Sequence, residues 1–166
     1  KSNEKGIIDT AFLTDGASYK SFYIPAGGSR MPKSKGTGIF EEDNNGNLRS
    51  KNNIYMDGLS VWAAINSRVP KQIKSLLQKN HLSISDVDHY FFHQASKMTI
   101  DSLIKALGID SKKVFINLTD KGNTVSASIP IAMKEAIQKK ILKRGDLLLL
   151  SGFGVGMSYA AMLIKY

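Results

Sequence analysis

From Val87 onward, short apolar runs alternate with segments of helical period, and this pattern narrows the fold more than any other feature. Val87 to Phe92 is an aromatic-rich apolar run of strand length. Ile100, Leu103, Ile104 and Leu107 then recur at i, i+3, i+4 and i+7, with Gly108 as a C-terminal stop. Val114 to Leu118 reads as a strand, and Asp120-Lys121-Gly122-Asn123 as a tight loop. Ser128 is the expected N-cap of a helix that tolerates Pro130 in its first turn and turns Ala132, Met133, Ala136, Ile137 and Ile141 inward. Arg144-Gly145-Asp146 leads into a strand over Leu147 to Ser151. Gly152-Phe153-Gly154-Val155-Gly156 reads as a glycine loop, and Ser158 to Ile164 as a closing strand. Strand-helix-strand-helix-strand-strand predicts the α/β class, a layered mixed β-sheet packed with helices.

The front half is less regular. Gly6 to Leu13 alternates weakly and ends at Asp15-Gly16, as a strand and turn would, and Phe22 to Ile24 is a short strand closed by Pro25. Residues 26–53 are rich in Gly, Ser, Asn and Lys, with a turn signal at Asn44-Asn45-Gly46-Asn47, and predict a long loop excursion. Val61, Trp62, Ile65, Val69, Ile73, Leu76 and Leu77 recur at helical spacing, with Pro70 expected to kink or reset the helix after Val69. Ser83 to Asp86 is a turn.

With 166 residues, 42% of them hydrophobic, the chain fits one domain over 1–166 and buries about 70% of its unfolded surface. The absence of cysteine excludes a disulfide scaffold, thiolate metal sites and a cysteine nucleophile within the chain. No apolar run approaches the ~18 residues that span a bilayer, so no membrane association is expected. A net charge of +9 points to an acidic partner, but the lysines are dispersed over outward helix faces, and nothing resembles a nucleic-acid-binding motif. His81 and His89 lack metal-ligand spacing, so no metal site is expected. The glycine run is no dinucleotide fingerprint, since position 157 is Met and a strand follows instead of a helix. Met56 and Trp62 are by default core residues. The start at Lys1 is read as that of a fragment or processed product.

Two residues bear chemistry. His93 directly follows Tyr90-Phe91-Phe92, and Asn123 stands between a strand-like segment and a helix. Both lie at strand-to-helix junctions, the usual catalytic edge of an α/β sheet. Two donors so placed can hold one substrate oxygen between them. On the residues alone, His93 as a helix cap and Asn123 as a turn residue is the competing reading.

Three motifs occur in order: His93-Gln94-Ala95, then Gly122-Asn123-Thr124 with Ala127-Ser128-Ile129-Pro130, then Gly152-Phe153-Gly154-Val155-Gly156. Together they resemble the β-ketoacyl-acyl-carrier-protein synthase III family over roughly residues 56–166, and Gly27-Gly28-Ser29-Arg30 resembles the segment just past that family's midpoint. The resemblance implies the C-terminal half of a thiolase-like fold, whose catalytic cysteine lies in the other half. It implies His93 and Asn123 as the His and Asn of a Cys-His-Asn triad, and a decarboxylative Claisen condensation of an acyl thioester with malonyl-acyl-carrier protein. It further implies an oxyanion-binding glycine loop at Gly154, Val155 and Gly156, an acyl-pantetheine tunnel lined by Met56, Leu59, Trp62 and Ala95, and Lys97 as a carrier-docking residue. Implied partners are acyl carrier protein, acyl-CoA, the N-terminal half and a second copy in a cytoplasmic homodimer, with no cofactor beyond the thioester substrates. The chain departs from the family's pattern at Ser96, Met98, Val155 and the long loop, which touches carrier contacts and acyl specificity more than the chemistry. Lacking the nucleophile, the fragment alone is expected to be inactive. A non-decarboxylating acyltransferase and a non-catalytic docking or dimerisation module are the alternatives.

Overall fold

In a computed structural model that describes residues 6–43 and 46–166, the chain runs β1 (Ile7–Thr14), β2 (Phe22–Tyr23), β3 (Glu41–Glu42), β4 (Leu48–Arg49), β5 (Tyr55–Met56), α1 (Gly58–Lys79), β6 (His89–Phe92), α2 (Lys97–Leu107), α3 (Leu118–Lys121), α4 (Ser128–Gln138), β7 (Leu147–Gly154) and β8 (Ser158–Lys165). The turn signal's Asn44 and Asn45 lie outside the described residues. The main sheet has the order β1-β8-β7-β6, antiparallel except for the parallel pair β6 and β7. It is therefore the mixed sheet that the alternating pattern predicts.

Period-two alternation sorts the strand residues between two cores. Leu147, Leu149, Phe153, Tyr159, Ala161 and Leu163 pack with the apolar faces of α1 and α2. Leu148 and Phe91 face the other way, against Ala132 and Ala136 of α4. On this second face α4 covers β6 and β7, whereas β1 at the opposite edge stays open. Ala11 of β1 packs into the first core, so Phe12 points to the second face, where it is 75% exposed beside its register partner Ala160.

Helix α1 does not break at Pro70. Asp57 caps it by accepting the Ser60 N–H at 3.0 Å, and the helix continues to Lys79 with Pro70 buried inside it. An internal proline costs about 3 kcal/mol. Ile65, Val69, Ile73, Leu76 and Leu77 are buried on either side, at about 1.5–3 kcal/mol each, so packing outweighs the lost hydrogen bond. Helix α2 behaves as its sequence predicts: Ser96 caps it through the Thr99 N–H, and Gly108 ends it in the left-handed region at φ 68°.

Val114 to Leu118 is not a strand. Only Val114 bridges Tyr90, and the chain turns into α3 after Asn117. The Gln94 side chain, 1% exposed, takes the place of further pairing. Its Nε2 donates to the Phe92 carbonyl (2.9 Å) and the Phe115 carbonyl (3.4 Å), and its Oε1 accepts the Asn117 N–H (3.3 Å). Those backbone groups are satisfied by an amide, so no fifth strand is needed to pair them.

Three other expectations are corrected. Ser128 is the first residue of α4 and not its cap; Ala127 holds the cap position and the Ser128 hydroxyl is engaged elsewhere. Ile137 and Ile141 are exposed, because Ala132 and Ala136 define the inward line, Ile137 lies about 100° round the helix from Ala136, and α4 ends at Gln138 before Ile141. Gly152, Phe153 and Gly154 belong to β7, paired with Ala160, Tyr159 and Ser158, so the glycine loop shrinks to a turn at Val155–Met157. Gly156 sits at φ +140°, where a Cβ would stand 2.8 Å from the Ser158 nitrogen.

The excursion over 26–53 is pinned to itself. The Ala26 N–H donates to the Lys51 carbonyl at 2.9 Å, Thr37 Oγ1 bonds Asn52 Oδ1 at 3.0 Å, and β3 pairs with β4. β2 pairs with β5 and so ties the start of α1 to the first third of the chain.

Candidate active site

The end of β6 determines where His93 stands. One backbone bond past the last paired residue, the His93 N–H donates to the Ser151 carbonyl of β7 at 2.8 Å, which fixes the residue at the edge of the sheet. Its ring lies edge-to-face on Phe153, centroids 5.5 Å apart at 74°, and its Nδ1 is 2.7 Å from Ser128 Oγ. Burial pushes the imidazole below its ordinary pKa, while a hydrogen bond to the Val125 backbone acts the other way with smaller effect. The ring is therefore biased to its neutral form, with one N–H to donate.

Asn123 arrives from the loop after α3. Its Oδ1 accepts the Val125 N–H at 2.9 Å, a local turn of the kind asparagine favours. That bond commits the carbonyl end of the amide and leaves the NH2 end for other partners. Nδ2 lies 3.4 Å from the Ala95 carbonyl, and the Ala95 N–H donates to the His93 carbonyl at 2.9 Å. Ala95 thus ties the two junctions together through its backbone.

His93 and Asn123 line one cavity of about 560 Å³, together with Gly154 and Val155 of the β7–β8 hairpin. Phe12, Leu13, Phe22, Ile129 and Phe153 make it apolar, and no Asp, Glu, Lys or Arg is among its described lining residues. Such a cavity offers hydrogen-bond donors to an oxygen without opposing a negative charge on it. Among the described residues no group of three or more His, Asp or Glu is placed to hold a metal ion, and no helix is long and apolar enough to cross a membrane.

The remaining expected site residues stand apart from this lining. Gly156 lies one residue beyond it in the turn. Met56 and Leu59 are exposed on β5 and the first turn of α1, and Trp62 is half-buried one helical turn on. Lys97 opens α2 and pairs with Asp101 at 2.8 Å. Sequence reasoning missed Ser128 as the partner of His93, and it missed the wall that β1 and β2 contribute through Phe12, Leu13 and Phe22. The first could have been found by asking why a serine follows the Asn123 loop, but its target is 35 positions away. The wall had no signal beyond the weak alternation of β1.

Known proteins place this geometry in a family. The family described as 3-oxoacyl-[acyl-carrier-protein (ACP)] synthase III C terminal matches residues 77–166. Beta-ketoacyl-[acyl-carrier-protein] synthase III of Caldanaerobacter subterraneus subsp. tengcongensis is 35% identical over 97% of this chain and 46% of its own length. The protein of that name from Clostridioides difficile is 35% identical over 99% of this chain and 47% of its own. A crystal structure of 3-oxoacyl-(acyl-carrier-protein) synthase III superimposes with a TM-score of 0.95 at 32% identity, over all of this chain and 49% of that one. That of the Aquifex aeolicus enzyme gives 0.75 at 29% identity, over all of this chain and 46% of that one. The chain spans about half the length of the curated relatives it matches. Its mixed sheet packed with helices is of the thiolase-like class, and the motifs around His93, Asn123 and the β7–β8 hairpin fall within the matched segment: the chain belongs to the 3-oxoacyl-[acyl-carrier-protein] synthase III family.

Proposed function

We propose that this chain is the His- and Asn-bearing part of an acyltransferase that joins an acyl thioester to malonyl-acyl-carrier protein with loss of CO2, in fatty-acid or related biosynthesis. The observation that carries this reading is the convergence of His93, just past the end of β6, and Asn123, in the loop between α3 and α4, on one uncharged cavity.

In the proposed reaction the bond between the malonyl carboxylate and the α-carbon breaks, CO2 leaves, and the electron pair becomes an enolate. The enolate oxygen accepts hydrogen bonds from His93 Nε2–H and Asn123 Nδ2–H, and removing one such donor typically costs 10²–10³ in rate. The enolate carbon attacks the acyl thioester carbon. Backbone N–H groups, one of them at Val155, stabilise the resulting oxyanion, whose collapse forms the 3-oxoacyl product and releases a thiolate that takes up a proton. The chain has no cysteine, so we place the acyl-bearing thiol in a further segment of the protein, seated over the open sheet face around Phe12. The chain by itself then has no condensing activity.

The same reading assigns Met56, Leu59, Trp62 and Ala95 to the path of the acyl-pantetheine arm, and Lys97 to an acidic carrier protein. It makes the full-length protein a cytoplasmic homodimer that needs no cofactor beyond its thioester substrates, with neither nucleic acid nor membrane as a partner. The test is the intact mass of the full-length gene product after incubation with a panel of acyl-CoAs. A single thioester-sized gain, lost when the acceptor cysteine is replaced, is expected, with CO2 release from the malonyl thioester falling at least ~100-fold in His93→Ala and Asn123→Ala. An adduct without CO2 release from the malonyl thioester would indicate a non-decarboxylating acyltransferase. Neither adduct nor CO2 would indicate a docking module.

A further inference from the structure

We propose that Ser128 is a positioning residue for His93: its hydroxyl holds Nδ1, so that Nε2 is the ring nitrogen presented to the cavity. The inference rests on the role proposed for His93. Ser128 is 2% exposed, and its hydroxyl does not cap α4. Its Oγ lies 2.7 Å from His93 Nδ1 and accepts the Gln94 N–H at 3.3 Å. One hydroxyl therefore grips both the ring and the next backbone amide of the β6–α2 junction, from the first turn of a different helix. Phe153 flanks the same ring edge-to-face. With one nitrogen committed to Ser128 and the ring plane set by Phe153, a ring flip that puts Cδ2 in the place of Nδ1 breaks a short hydrogen bond and leaves the buried hydroxyl only the longer contact with the Gln94 N–H. The arrangement has the logic of a triad's orienting member, with a neutral hydroxyl in place of a carboxylate. A carboxylate there would favour a charged imidazolium, whereas a hydroxyl leaves the ring neutral.

The test is nitrogen-15 NMR of the full-length protein labelled at histidine, with the His93 ring assigned by its loss in His93→Gln. No Asp, Glu, Lys or Arg is among the described lining residues of the cavity that the ring faces. Burial and the Val125 backbone bond act on the ring in wild type and variant alike, so the difference between the two reports the hydroxyl. The wild-type ring is expected in a single tautomer. Ser128→Ala is expected to mix the tautomers, to move the titration midpoint by about half a unit or more, and to lower kcat about 10-fold at unchanged KM. Ser128→Thr is expected to restore the tautomer and the midpoint. A Ser128→Ala protein that keeps the wild-type tautomer and midpoint overturns the inference, whatever its activity. A ring that responds in a protein without condensing activity upholds the inference and removes the proposed reaction.

Discussion

The imidazole of His93 stands edge-on to the ring of Phe153, centroids 5.5 Å apart and planes at 74°. Phe153 belongs to β7 and His93 lies just past the end of β6, so a parallel strand pair builds the contact. Because burial is the main cause of the lowered His93 pKa, replacing Phe153 by Leu admits water and raises it toward the ordinary value. NMR titration of the ring checks this; a midpoint unchanged in Phe153→Leu would contradict it.

The same shift gives stability a pH dependence of definite sign. Above about pH 6.5, the ordinary histidine value, neither folded nor unfolded chain protonates this ring. As pH falls below that value the unfolded chain binds the proton first, so stability declines until the folded pKa is passed. Urea unfolding of wild type and His93→Gln should show a shallower decline in the variant over that interval. Asp9 acts lower on the scale. Hydrogen bonds from Lys79, Asn80 and the Thr10 backbone hold its carboxylate at about 2, so its stabilisation is present above about pH 4 and is lost as pH falls toward 2. In Asp9→Asn the acid limb between those values should flatten.

Gln94→Ala should destabilise the chain by about 2–4 kcal/mol. The side chain satisfies the Phe92 and Phe115 carbonyls and the Asn117 N–H in a buried setting, and each group left unpaired costs about 1–3 kcal/mol, part of which a water entering the space would offset. Equilibrium denaturation measures the loss. A change under 1 kcal/mol would mean that the junction repairs itself.

The hairpin glycines separate two kinds of constraint. A Cβ on Gly154 meets nothing within 4 Å, so Gly154→Ala should alter stability by no more than about 0.5 kcal/mol while narrowing the cavity beside His93. Gly156→Ala is strained at φ +140° and collides with Ser158, and should cost about 1–3 kcal/mol. Thermal melts of the two variants, together with the longest acyl chain each full-length variant accepts, separate backbone strain from cavity volume.

Local pattern carried much of the fold. The i, i+3, i+4, i+7 series from Ile100, closed by Gly108, specified α2, and the apolar runs marked β6, β7 and β8. It failed where a side chain substituted for backbone. Val114 to Leu118 is strand-like in composition, but a glutamine 20 or more positions earlier satisfies the backbone groups that a strand would pair. At Pro70 the helix runs on without a break, because the local penalty is smaller than the burial on either side of it.

The sequence by itself determined the residue types and much of their local setting: a histidine at a strand-to-helix junction, an asparagine in the loop before a helix, a neutral glycine-rich hairpin, and no thiol in the chain. Tertiary structure alone decided which of these meet. His93 and Ser128 are 35 positions apart, and their 2.7 Å contact depends on how α4 packs over β6 and β7. Phe12 reaches the cavity because β1 pairs with β8 at the far end of the chain. Side-chain propensity acts over a few residues, whereas a cavity wall is built by sheet pairing between distant segments, which no local pattern encodes.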